Sequence, residues 1–108
     1  MINPIENGNV FSASDSIEYS SNSVVSKMIL KKTAGNISLF SFDAGEGLAE
    51  HSSPHEAFVY VLDGTAEVTI AGKSQNVKKN QCIILPGNIP HSLKANEAFK
   101  MMLVMIKS

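Results

Sequence analysis

The chain has a single cysteine, no excess of either charge, no long apolar run and no helical period, and each shortage excludes something. With Cys82 alone there is no internal disulfide, which suits a reducing cytoplasm, and its place in the apolar run 82–85 marks it as a small buried side chain rather than a reactive thiol. Nine basic residues against ten acidic ones leave no basic footprint for a nucleic acid. The longest apolar stretch, residues 101–106, falls far short of the ~20 residues that span a bilayer, so no membrane partner is expected. The start, Met1-Ile2-Asn3-Pro4, carries neither the basic nor the apolar region of an export signal. No segment holds a 3.6-residue apolar repeat behind a cap, so helix content is expected to be near nil. What is present, 44% hydrophobic and 18% charged residues over 108 positions, describes an ordinary globular domain able to bury one core.

Period-two patterning begins at Val24. Residues 24–30 and 37–42 read as strands joined through a Thr33-Ala34-Gly35-Asn36 turn, which makes a hairpin. Further strands are expected at 57–62, 66–70, 75–77, 82–85, 90–93 and 99–106, with Asp63-Gly64 and Ala71-Gly72-Lys73 as tight turns. Turn signals every eight to twelve residues point to an all-β sandwich or barrel. Residues 1–23, rich in Ser and Asn, are expected to form an arm or short edge strands packed on a barrel of residues 24–108. Strands 57–62 and 99–106 are apolar on both parities, so both of their faces need cover. A barrel interior covers one face; the arm or a second copy of the chain must cover the other, and a two-fold homodimer is the expected solution.

All three histidines fall in two segments about forty residues apart, Glu50-His51-Ser52-Ser53-Pro54-His55-Glu56 and Leu85-Pro86-Gly87-Asn88-Ile89-Pro90-His91. Imidazole is the commonest protein ligand for transition metals, so two such segments converging in one sheet would make a metal site. The methionines Met28, Met101, Met102 and Met105 read as core filling and adaptable surface, with a copper(I) site as the alternative. Lys78-Lys79 reads as a solvated turn.

The spacing of these residues resembles the cupin superfamily, small jelly-roll barrels with two metal-bearing motifs. The first motif runs glycine, five residues, His-x-His, three or four residues, glutamate, six residues, glycine; Gly45, His51 and Gly64 hold its places, while Ser53 stands for the second histidine and Ala57 for the glutamate. In the second motif Pro86 and His91 match, and Asn80, Asn88 and Ala95 replace two glycines and an asparagine. Asparagine tolerates a positive φ better than other side chains, so Asn80 and Asn88 are expected to hold the same turns. The resemblance spans residues 37–106 and implies an all-β cupin jelly-roll barrel (double-stranded β-helix) with His51 and His91 directed inward.

On that fold, strand parity sets Val59, Val61 and Leu93 as ligand-contacting walls of the same cavity. Two imidazoles need a third donor to retain a divalent ion. His55 shares the parity of His51, and Glu56 would serve instead if the Ser53-Pro54 turn shifted the register by one. The implied function is a small cupin binding a divalent ion (Fe, Zn, Ni or Mn) and a small organic ligand in the barrel. The alternative is a metal-free small-molecule-binding or sensor barrel. The sequence selects neither a substrate nor a reaction, and whether the chain is an enzyme stays open.

Overall fold

Alternation of apolar and polar side chains turns almost every expected segment into an antiparallel strand. The computed structural model describes residues 4–107; the first three residues of the expected arm and Ser108 of the expected barrel lie outside the described residues. The strands are β1 (Val24–Lys32), β2 (Gly35–Phe42), β3 (Gly47–His51), β4 (Glu56–Asp63), β5 (Thr65–Ile70), β6 (Lys73–Lys78), β7 (Cys82–Leu85), β8 (His91–Lys94) and β9 (Phe99–Ile106). Helix among the described residues is one 3-10 turn, Ser14–Ser16. A five-stranded sheet in the order β1-β2-β9-β4-β7 faces a four-stranded sheet in the order β3-β8-β5-β6, the arrangement of a jelly-roll barrel. β3 is the strand that the pattern did not show, because Leu48 is its one large apolar side chain.

Between the sheets the inward parity packs to zero exposure. Val59 and Val61 of β4, Phe99 and Met101 of β9, and Phe42 of β2 meet Ala66 and Val68 of β5. The Phe42 and Phe99 rings stack at 4.4 Å between centroids. Each large apolar side chain buried this way contributes roughly 1.5–3 kcal/mol. At the turns, Asn80 and Asn88 adopt φ of 69° and 63°, as the asparagine substitutions imply. The Asn80 turn is held from both sides, its N–H donating to Val61 O at 2.8 Å and its Oδ1 accepting from the Tyr60 hydroxyl at 3.1 Å.

The outer face of the five-stranded sheet is covered in part by the arm. Ile17 is buried there, the Ser41 hydroxyl donates to Glu18 O at 2.8 Å, and the ammonium groups of Lys27 and Lys100 donate to Ser16 O and Ser14 O at 3.2 and 2.7 Å. Tyr19 closes the arm, donating its hydroxyl to Asp63 Oδ2 at 2.6 Å beneath the Lys100 ammonium, which lies 5.0 Å from the ring centroid. Partial burial, that bond to Asp63, and the charges of Asp63 and Glu97 raise the phenol well above its ordinary range. Leu39 and Ser41 therefore lose all contact with solvent although they point outward. Beyond the arm, Leu30, Ile84 and Ile106 are exposed at 43%, 61% and 58%, so this part of the apolar face has no cover among the described residues. Cys82 is exposed too, contrary to expectation: it lies on edge strand β7, beside Tyr60 and past the reach of the arm.

Candidate ion site at the barrel mouth

Strands β3 and β8 run side by side, and their register brings the two histidine segments together. Leu48 opposes Leu93, but one extra residue in β3 shifts the pairing so that His51 opposes His91. Without that bulge Glu50 would face His91 instead, two residues beyond Leu48. The rings meet edge to face, 4.5 Å between centroids at an interplanar angle of 67°. His91 is buried at 5% exposure, whereas His51 reaches solvent at the rim.

Both rings are tied by the same local bond. His51 Nδ1 lies 2.9 Å from the carbonyl of Ala49, and His91 Nδ1 lies 3.2 Å from the carbonyl of Ile89, each two residues upstream. A carbonyl only accepts, so in each neutral ring Nδ1 carries the proton and Nε2 keeps its lone pair. This is the arrangement by which outer partners orient imidazole ligands.

Between the histidine pair and β9 lies a partly enclosed, largely apolar space of about 50 Å³, lined by His51, His91, His55, Met101, Leu103 and Met105 among others. It has room for one or two waters at ~30 Å³ each, against ~300–1,000 Å³ in pockets for organic ligands. The loops that carry the histidines are joined above it. The Asn88 N–H donates to Ser53 O at 2.6 Å, and a Cβ on Gly87 would come within 2.9 Å of Pro54 O, so the Pro86–Pro90 turn lies flush on the Ser53–His55 turn.

Of the residues singled out from sequence, His51, His55, His91 and Leu93 line this space. Val59 and Val61 do not: they share the inward parity but lie deeper in the closed core, at 0% exposure, as packing rather than as ligand contacts. Glu56 does not either. It opens β4 on the outward parity of Phe58 and Tyr60, so the Ser53-Pro54 turn makes no register shift that would bring its carboxylate inside. Among the described residues no three His, Cys, Asp or Glu side chains come close enough together to hold an ion. Two imidazoles fit an ion; the third, carboxylate ligand of a divalent centre has no counterpart. The methionine and leucine wall of β9 was legible as one parity of residues 99–106, but parity alone does not say which side faces the histidines.

A second concavity lies on the outer face. It is an open groove of about 530 Å³ lined by Phe58, Ile84, Pro86, Val104 and Ile106, with Glu56 at its end. Elsewhere on the surface, Glu67 accepts from Asn96 Nδ2 at 2.7 Å and from Ser74 Oγ at 2.9 Å, bonds that hold its carboxyl below the usual range.

A double-stranded β-helix whose adjacent strands β3 and β8 bring two tautomer-fixed histidines together at one mouth has the form of a cupin barrel. The family model described as cupin domain matches residues 38–107, and the chain belongs to that family. A conserved protein of unknown function from Streptococcus pyogenes is similar over nearly its whole length, at 36% identity, 99% of this chain, 94% of that one and a TM-score of 0.91. A cupin 2 conserved barrel domain protein from Leptotrichia buccalis is 38% identical over 90% of this chain and 47% of its own, with a TM-score of 0.87. A curated relative, the polyketide synthase CurC of Streptomyces cyaneus, is 32% identical over 63 residues, which are 57% of this chain and 41% of that protein. The matched segment is thus less than half the length of that relative.

Among the described residues no helix is long and apolar enough to cross a membrane.

Proposed function

We propose that the space between β3, β8 and β9 binds one transition-metal ion through Nε2 of His51 and Nε2 of His91, with His55 joining them only if the Ser53–His55 turn moves. One observation carries this reading: both Nδ1 atoms are occupied by backbone carbonyls, which leaves two basic nitrogens on adjoining rings at a cavity of ionic size. His91 supplies the buried ligand and His51 the one through which an ion enters. The apolar walls, Leu103 and Met101 among them, exclude water from the bound ion. The reading assigns binding and no reaction. The organic ligand expected inside the barrel has no room at about 50 Å³ unless the His51–Glu56 segment moves outward. Metal analysis of tag-free protein tests the proposal: a stoichiometric ion that is lost in His91→Ala supports it, and no ion after incubation with each candidate metal refutes it.

We infer further that a second copy covers the outer groove. Along the end row of the sheet, Lys32 pairs with Gly35, Gly35 with Ile106, and Ile106 with Glu56. A two-fold axis parallel to the strands would lay each Lys32 against the Glu56 of the other copy, with Ile106 between them, and opposite charges at symmetric positions are what an isologous interface needs. A reducing cytoplasm suits this chain, whose exposed Cys82 has no internal partner.

A further inference from the structure

We infer that the ion held at this mouth is copper(I), with the thioether of Met105 completing a soft, neutral donor set; this rests on the imidazole site proposed above. The lining residues make the case first. Three imidazoles (His51, His55, His91), two thioethers (Met101, Met105) and one hydroxyl (Ser53) are the donors on the cavity, and no carboxylate or thiolate is among them. Thioethers are soft ligands that select copper(I), while zinc, nickel, iron and manganese favour imidazole together with harder or anionic donors.

Charge points the same way. A divalent ion among neutral ligands and apolar walls keeps two uncompensated charges out of water, and a monovalent ion keeps one, which is far less costly. Placement adds a third reason. Met105 lies directly across the β4–β9 ladder from Ala57. Ala57 stands where the cupin resemblance places the acidic ligand, and its methyl group leaves that space to the longer neighbour. Met105 is half-buried and flexible enough to turn its sulfur toward the rings, whereas Met101 is locked at 0% exposure beneath it. With room for one ion and little else, the site suits holding copper(I) away from water and oxygen better than presenting a metal to a substrate.

Anaerobic titration of the tag-free full chain with copper(I), in competition with a chromophoric copper(I) chelator, tests the assignment. The expected result is one copper(I) per chain, a sulfur shell in the copper X-ray absorption spectrum, and affinity reduced at least about tenfold in Met105→Leu, as loss of one ligand implies. Met105→Leu conserves volume, and its unfolding temperature without metal verifies the fold; Met101→Leu serves as a second thioether variant. A zinc or nickel ion bound more tightly than copper(I), with both leucine variants unchanged, overturns the copper assignment and leaves the imidazole site standing. Copper(I) bound without a sulfur shell overturns it as well. No bound ion of any kind removes both readings.

Discussion

The two concavities of this barrel share their walls and differ in everything else. Strands β4 and β9 send Ala57, Leu103 and Met105 to the inner space of about 50 Å³ and Phe58, Val104 and Ile106 to the outer groove of about 530 Å³. The inner space is a tenth the volume yet gathers three histidines; the outer groove is apolar apart from one glutamate at its end. Size is therefore a poor guide to chemistry here. Convergent donors with fixed tautomers are why the proposed ligand is assigned to the inside, and an open apolar surface without them is why the proposed association is assigned to the outside.

The contrast breaks most severely if the wall itself is breached. Phe99 is fully buried and stacked on Phe42, so Phe99→Ala is expected to cost about 3–5 kcal/mol of stability, measured by denaturant unfolding. A loss below about 1 kcal/mol would mean that the inner row of β9 is less tightly packed than its burial indicates. Next in size comes the ion. If the wild-type chain binds one, free metal at 100 times the dissociation constant should stabilise it by about 2.7 kcal/mol. His91→Ala should abolish that increment, read as the metal-dependent shift in unfolding temperature. A shift that persists in the variant would move the ion elsewhere.

The outer groove should respond in the opposite manner. Ile106 is 58% exposed, so Ile106→Asp is expected to change the stability of the single chain by no more than about 0.5 kcal/mol. The same change should drive a dimer to monomer in sedimentation at micromolar protein. The charge reversal Glu56→Lys should weaken association by placing like charges together, and adding Lys32→Glu should restore it. Unaltered sedimentation across all three variants would leave the groove without a second copy as its occupant.

Why the fold was more legible than the site follows from particular residues. Strands such as β4 and β9 are written in period two, and the positive φ of Asn80 and Asn88 follows from asparagine's tolerance of left-handed backbone. The inward direction of His51 was legible only through the family spacing, since its strand has little apolar content and depends on a bulge for its register. Parity placed Val59 and Val61 on the correct side of β4 but could not say how deep they lie, and depth separates packing from ligand contact. Glu56 failed for a related reason: a coil segment before a strand has no parity until the strand begins, and β4 begins at Glu56. The Nδ1 bond to Ala49 belongs to the bulged end of β3 and that to Ile89 to the turn before β8, local backbone geometry that composition does not encode.

The smallest effect concerns the boundary between the covered and uncovered parts of the outer face. Tyr19 fastens the arm through its bond to Asp63, and its phenol titrates higher in the folded chain than the ordinary ~10. A raised acid pKa means that the folded state holds the proton more tightly. The stabilisation is therefore complete below pH ~10 and is lost as pH rises toward the folded value. Because Tyr19 is 38% exposed, solvent screening keeps the contribution small, and Tyr19→Phe should lower stability at neutral pH by under about 1 kcal/mol. The informative measurement is the pH profile: wild type should lose stability relative to Tyr19→Phe above pH ~10, with hydrogen exchange at Ser16–Glu18 rising in step. Parallel profiles would show that the arm is held by Ile17 and the lysine bonds alone, and that the Tyr19–Asp63 contact adds nothing to the cover of this sheet.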